Sequence, residues 1–173
     1  METSAAQEAA RLEQGLVYYE HIHRLTAHRW RRLNLVVAAL VAVLAAVSAS
    51  LQAVDGAETI GILTAVLAGA FGALLGVLSP RDVAQAHYQA AIESNQLRLE
   101  VRQLRLLKFP GMEDAQAADE LKEFTFRRSA SLKTQPPVNQ RIFKTARRDI
   151  EERGMYDYEV DKPSPNGPLH VTQ

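Results

Sequence analysis

Two apolar runs, residues 33–51 and 60–78, contain no Lys, Arg, Asp or Glu, and only a short acidic loop separates them. As helices rising about 1.5 Å per residue, each reaches roughly 28 Å, close to the ~30 Å of hydrocarbon in a bilayer. A soluble helix of that length would carry a polar face, and neither run has a charged one. The pattern predicts an all-α membrane protein: a two-transmembrane helical hairpin over 33–78 with N- and C-terminal cytoplasmic amphipathic helices.

The flanking charge gives the orientation. Arg29, Arg31 and Arg32 precede the first run and Arg81 follows the second, whereas the 52–59 loop has Asp55 and Glu58 but no Lys or Arg. Basic residues stay on the cytoplasmic side, so the protein is expected in the inner membrane with both termini cytoplasmic. Asp55 and Gly56 suit a plain turn, too small for a receptor or catalytic domain. The first run is too long for a signal-peptide core and starts past residue 30, so no cleaved leader is expected.

The rest divides into an N-terminal cytoplasmic helix (1–32, with 1–6 expected disordered), a cytoplasmic helical region (79–153) and a flexible tail (154–173). Leu12, Leu16, Tyr19, Ile22 and Leu25 recur at helical spacing before the membrane. His21 and His23 project about 200° apart on a helix, so with His28 they read as solvated or interfacial rather than metal-binding. Trp30 among Arg29, Arg31 and Arg32 reads as an interfacial anchor, its ring at headgroup depth. Ser79 before Pro80 suits the cap of a helix over 81–108, on which Arg98, Arg102 and Arg105 share an exposed face: a solvated edge near headgroups, or an anion or lipid contact. Phe109 to Met112 break that helix. A helix over 113–129 buries Leu121 and Phe124, a linker covers 129–137, and Val138, Ile142, Ala146 and Ile150 mark a last amphipathic helix.

Within the spans, small residues line up every fourth position. The second carries Gly61, Ala65, Gly69 and Ala73 beside Thr64, Ala68, Gly72 and Gly76, opposite a bulky face of Leu63, Leu67, Phe71, Leu74 and Leu78; the first carries Ala38, Ala42, Ala46 and Ser50. Small rows let helices approach closely in lipid. They either zip the hairpin together or pack a neighbouring subunit, giving a homo-oligomer.

Other classes of function find little footing. The chain has no Cys and zero net charge, which removes thiolate chemistry and any global attraction to a nucleic acid polymer. No phosphate loop or nucleophile, base and orienter set is present, so no enzyme, catalytic residue, cofactor or metal is expected.

The order of parts, from His28-Arg29-Trp30-Arg31-Arg32-Leu33-Asn34 through a tight hairpin to a long helix opening with His87-Tyr88-Gln89-Ala90-Ala91 and continuing through Leu97 and Arg98, resembles the SLATT family of two-transmembrane effectors in bacterial conflict systems. The resemblance spans roughly residues 12–107. It implies an oligomer that opens pores or disrupts the membrane when a partner system detects phage, causing arrest or death. The implied trigger is a nucleotide second messenger or a partner-system protein. The alternative is a membrane-anchored scaffold whose hairpin only tethers the cytoplasmic helices.

Overall fold

Helix α1, Ser4–Gln52, runs unbroken for 49 residues, about 73 Å at 1.5 Å per residue. It contains no Pro, and its one Gly is Gly15, so nothing in the backbone interrupts it. In the computed structural model, which describes residues 4–155, the helix already includes Ser4 to Ala6, where disorder was expected. Four helices follow: α2 (Glu58–Leu78), α3 (Pro80–Gln103), α4 (Asp114–Thr134) and α5 (Gln140–Glu151). Among the described residues the fold is an all-α bundle in which two helical stretches, one starting at Ser4 and one at Glu58, are long and apolar enough to cross a membrane.

The chain reverses after Gln52 through a turn in which Gly56 takes φ 83°, a left-handed conformation that favours glycine. Helices α2 and α3 then run back along α1, one behind the other. Ser79 separates them at φ 40°, ψ 54°. The expected capping by its side chain is not made: the hydroxyl donates to the Gly76 carbonyl at 3.0 Å. The Ser79 carbonyl instead accepts from the amides of Asp82 and Val83, at 2.9 and 3.2 Å. Pro80, lacking an amide proton, takes the first helical position at no hydrogen-bonding cost.

One stripe organises α1 from end to end. The buried or half-buried positions include Ala9, Glu13, Leu16, Glu20, His23, Ala27, Trp30, Asn34, Val37, Val41, Leu44, Ser48 and Leu51. They alternate steps of four and three, the heptad rhythm of helices packed along a shared seam. Helix α2 answers with Gly61, Thr64, Ala68, Phe71 and Leu75, and α3 with Pro80, Ala84, His87, Ala91, Ser94, Arg98, Val101 and Arg105. The jump from Leu75 to Pro80 breaks the rhythm, and the left-handed turn at Ser79 sits there. It resets the phase so that two helices continue one antiparallel seam.

The helix expected over 81–108 changes character before its end. It stays α-helical to Gln103, then widens into a π-turn over Leu104–Lys108 and tightens over Phe109–Gly111. The extra residue in a π-turn rotates the downstream chain about the helix axis, and Leu104 and Phe109 are both buried here. They join Leu16, Val101, Ala117, Leu121 and Phe124 in the main core. Leu121 and Phe124 are thus the inner side of α4, as expected. That helix extends beyond 129 to Thr134, ending where Gln135 turns extended ahead of Pro136. Asn139 caps α5 by accepting the Arg141 amide at 2.8 Å, and Ile142 and Ala146 close a second cluster on Ile22. The tail lies outside the described residues from 156 onward.

Candidate functional site

Near its turn end the apolar hairpin is tied by side-chain hydrogen bonds. Ser48 donates its hydroxyl proton to the Gly61 carbonyl at 2.8 Å, and the Gln52 amide reaches Ser48 Oγ at 3.2 Å. Thr64 also donates to the Gly61 carbonyl, at 2.9 Å. A Cβ placed on Gly61 would lie 3.1 Å from Gln52 Cγ and 3.4 Å from the Ser48 carbonyl oxygen. Glycine there permits the close approach.

The small-residue rows divide between two directions. Gly61 and Ala68 are buried against α1, with Thr64 and Gly72 half-buried beside them. Ala65, Gly69, Ala73 and Gly76 face outward, as do Ala38, Ala42, Ala46 and Ser50 on α1. The hairpin is therefore closed by the heptad seam, and the first helix's small row takes no part in it. Phe71 is half-buried in that seam, whereas Leu63, Leu67, Leu74 and Leu78 are exposed as expected of the bulky face. A Cβ on Gly69, Gly72 or Gly76 would meet no atom within 4 Å.

The polar half of α1 holds a different set of contacts. His21 and His23 are buried, not solvated; of the three histidines only His28 is exposed. His23 and His87 bring their Nδ1 atoms within 2.9 Å across the α1–α3 seam. Burial pushes His23 down to about 4, with the neighbouring His87 adding to the effect and the Gln135 side chain opposing it. Burial likewise lowers His87. On the other flank, His21 Nε2 lies 3.3 Å from Asp149 Oδ2 of α5, and the Tyr18 hydroxyl donates to Glu151 at 3.0 Å. Burial, then the Glu151 carboxylate, raises Tyr18.

Arg98, Arg102 and Arg105 do share one face, but it is turned onto α1 instead of solvent. Arg105 binds Glu13 at 2.8 Å, Arg102 approaches the same carboxylate at 3.9 Å, and Arg98 lies 3.6 Å from Glu20. Glu20 is buried and also accepts from Arg24 at 2.6 Å. These guanidinium groups are matched within the chain, which removes the basis for reading them as an open anion or lipid contact. Arg29, Arg31 and Arg32 are exposed around a half-buried Trp30. Among the described residues, no three His, Asp or Glu side chains gather as metal ligands would.

The inward set of Glu13, Glu20, His23 and His87 escapes a reading based on apolar stripes. The four-three spacing of Leu16, Glu20, His23 and Ala27 was the available signal. Fold and contacts together define an all-α bundle with a long apolar hairpin and a cross-braced polar base. The chain matches no family model, no curated protein and no solved structure.

Proposed function

We propose that this chain is an oligomeric inner-membrane effector of the SLATT type, with both termini in the cytoplasm, that opens or perturbs the bilayer when a partner defence system triggers it. A nucleotide second messenger or a partner-system protein would supply the trigger. The observation that carries the reading is the pair of outward small-residue faces, Ala38-Ala42-Ala46 on α1 and Ala65-Gly69-Ala73 on α2, which the hairpin leaves unused. In lipid such faces promote helix association by close packing.

Membrane placement has its own support. Only 6% of the most apolar window in α1 and 11% of that in the stretch beginning at Glu58 is buried, whereas a soluble core helix would be mostly covered. Val36, Val66 and Val77 stand 66%, 63% and 84% exposed, a surface that water disfavours and acyl chains cover.

Gly69→Leu with Gly76→Leu tests the oligomer directly, because both residues face outward and neither new side chain meets an obstacle at its Cβ within the subunit. Membrane potential, dye entry and growth would be followed during induced expression, alone and beside the neighbouring genes. Depolarisation by the parent and its loss in the membrane-inserted double variant is the expected result. Equal depolarisation by both overturns the packing faces as the working surface, and intact membranes throughout favour the tethered scaffold.

A further inference from the structure

Where the apolar and polar halves of the molecule meet, the groove between α1 and α3 opens into a cavity of about 570 Å³. His28, Arg31 and Leu35 line it from α1, and Arg81, Gln85 and Tyr88 line it from α3. Ala27 and Ala84, both buried, also line it, and the cavity exists because these seam residues are small. No carboxylate lines it, and among the described residues neither Arg31 nor Arg81 is engaged in an ion pair. The contrast with Arg98, Arg102 and Arg105, each set against Glu13 or Glu20, is direct. Two cations thus converge from different helices on a cavity with no anion of its own.

We propose that this cavity binds a phosphate group, and that its occupant is the headgroup of an anionic phospholipid of the cytoplasmic leaflet. Arginine presents a fork of donors matched to phosphate oxygens, and Arg31 and Arg81 approach from opposite walls. Tyr88 and Gln85 add hydroxyl and amide donors, and His28 gives a further nitrogen. The height selects a lipid over a soluble phosphate. Arg31 lies just before the first apolar run and Arg81 just after the second, so the cavity is level with headgroups. Leu35, one turn further in and 58% exposed, offers an apolar surface for the start of an acyl chain. A lipid held there bridges α1 and α3 beside the Ser79 junction, so its binding bears on the angle between the hairpin and the base. The assignment rests on the membrane placement proposed above.

The test uses the full chain purified in detergent, delipidated and returned to nanodiscs of phosphatidylcholine with or without phosphatidylglycerol. Native mass spectrometry reads the retained lipid, and alkaline carbonate extraction of cells checks insertion separately. The wild type is expected to retain phosphatidylglycerol through excess inorganic phosphate. Arg31→Gln with Arg81→Gln should weaken retention by roughly a hundredfold, about tenfold for each charged hydrogen-bond donor removed. Gln85→Glu, which removes no arginine, should weaken it too by placing a carboxylate at the site. Lys133→Gln with Lys144→Gln, which removes two charges elsewhere, should leave it unchanged. Equal retention by wild type and the arginine variant overturns the site, and displacement of the lipid by inorganic phosphate reassigns it to a soluble phosphate. Release of the wild type by carbonate refutes the membrane reading instead.

Discussion

His23 and His87 face each other through their Nδ1 atoms, 2.9 Å apart, in the buried seam that joins the first and third helices. At that distance one ring donates its proton and the other accepts it, so the contact requires at least one neutral imidazole. If both rings carried two protons, two N–H groups would point at each other. The seam at this point depends on at least one ring of the pair staying neutral.

Stability should therefore fall on mild acidification. Folded His23 titrates near 4, pushed down mainly by burial and then by His87, whereas an unfolded histidine titrates near 6.5. Between those values the unfolded chain binds a proton that the folded chain refuses, so folding weakens as pH falls through this window. At about 1.4 kcal/mol per pH unit, His23 alone accounts for up to about 3 kcal/mol. Thermal unfolding of the detergent-solubilised protein at pH 7.5 and pH 5 checks this. His23→Gln should flatten the dependence, and an unchanged slope in that variant would place the acid sensitivity elsewhere.

The hairpin should be intolerant at one glycine and indifferent at another. Gly61 lies against the Ser48 carbonyl and Gln52, whereas Gly69 has open space at its Cβ. Gly61→Leu should force the helices apart and cost about 2 kcal/mol, in the range of overpacked cores. Gly69→Leu should leave the isolated subunit's melting temperature unchanged. Equal losses at both positions would show that the two helices meet along a different face.

The hairpin was legible because a helix-length run without any charge has no polar face to give to water, and Leu121 and Phe124 were legible because apolar spacing alone places them. The seam was not. Its members in the polar half include Glu13, Glu20, His23, Arg98 and Arg105, residue types normally assigned to solvent. They are inward because each meets an opposite charge or a hydrogen-bonding partner on another turn or helix, and that pairing depends on an antiparallel register no local pattern encodes. Inside the apolar half nearly every position is hydrophobic, so composition could not tell which side of Ala42 or Gly69 faces the partner helix.

Glu20 should matter far more than its charge alone suggests. It is buried, accepts from Arg24 and lies 3.6 Å from Arg98, whose side chain is only 13% exposed. Glu20→Gln keeps the shape and removes the charge, and breaking a buried pair in this way costs about 3 kcal/mol. The exposed Glu8–Arg11 pair, 3.4 Å apart, should contribute roughly 0.5 kcal/mol or less when Glu8 is changed to Gln. Chemical denaturation of the two variants would separate these values, and similar losses would mean the Glu20 site is wetter than its burial indicates.

The absence of native cysteine makes the orientation directly measurable. Asp55 lies in the turn between the two apolar helices and Lys133 near the end of α4, and both are exposed. On the proposed topology, with three arginines before the first apolar run, one after the second and none in the turn, Lys133 is expected on the cytoplasmic side and Asp55 on the other. In intact spheroplasts, Asp55→Cys should react with a membrane-impermeant maleimide, and Lys133→Cys should react only after permeabilisation. The opposite pattern would invert the topology and move the Arg31–Arg81 cavity to the outer leaflet. Protection of both until permeabilisation would show that the turn never crosses, leaving the hairpin's apolar surface to be covered by protein instead of lipid.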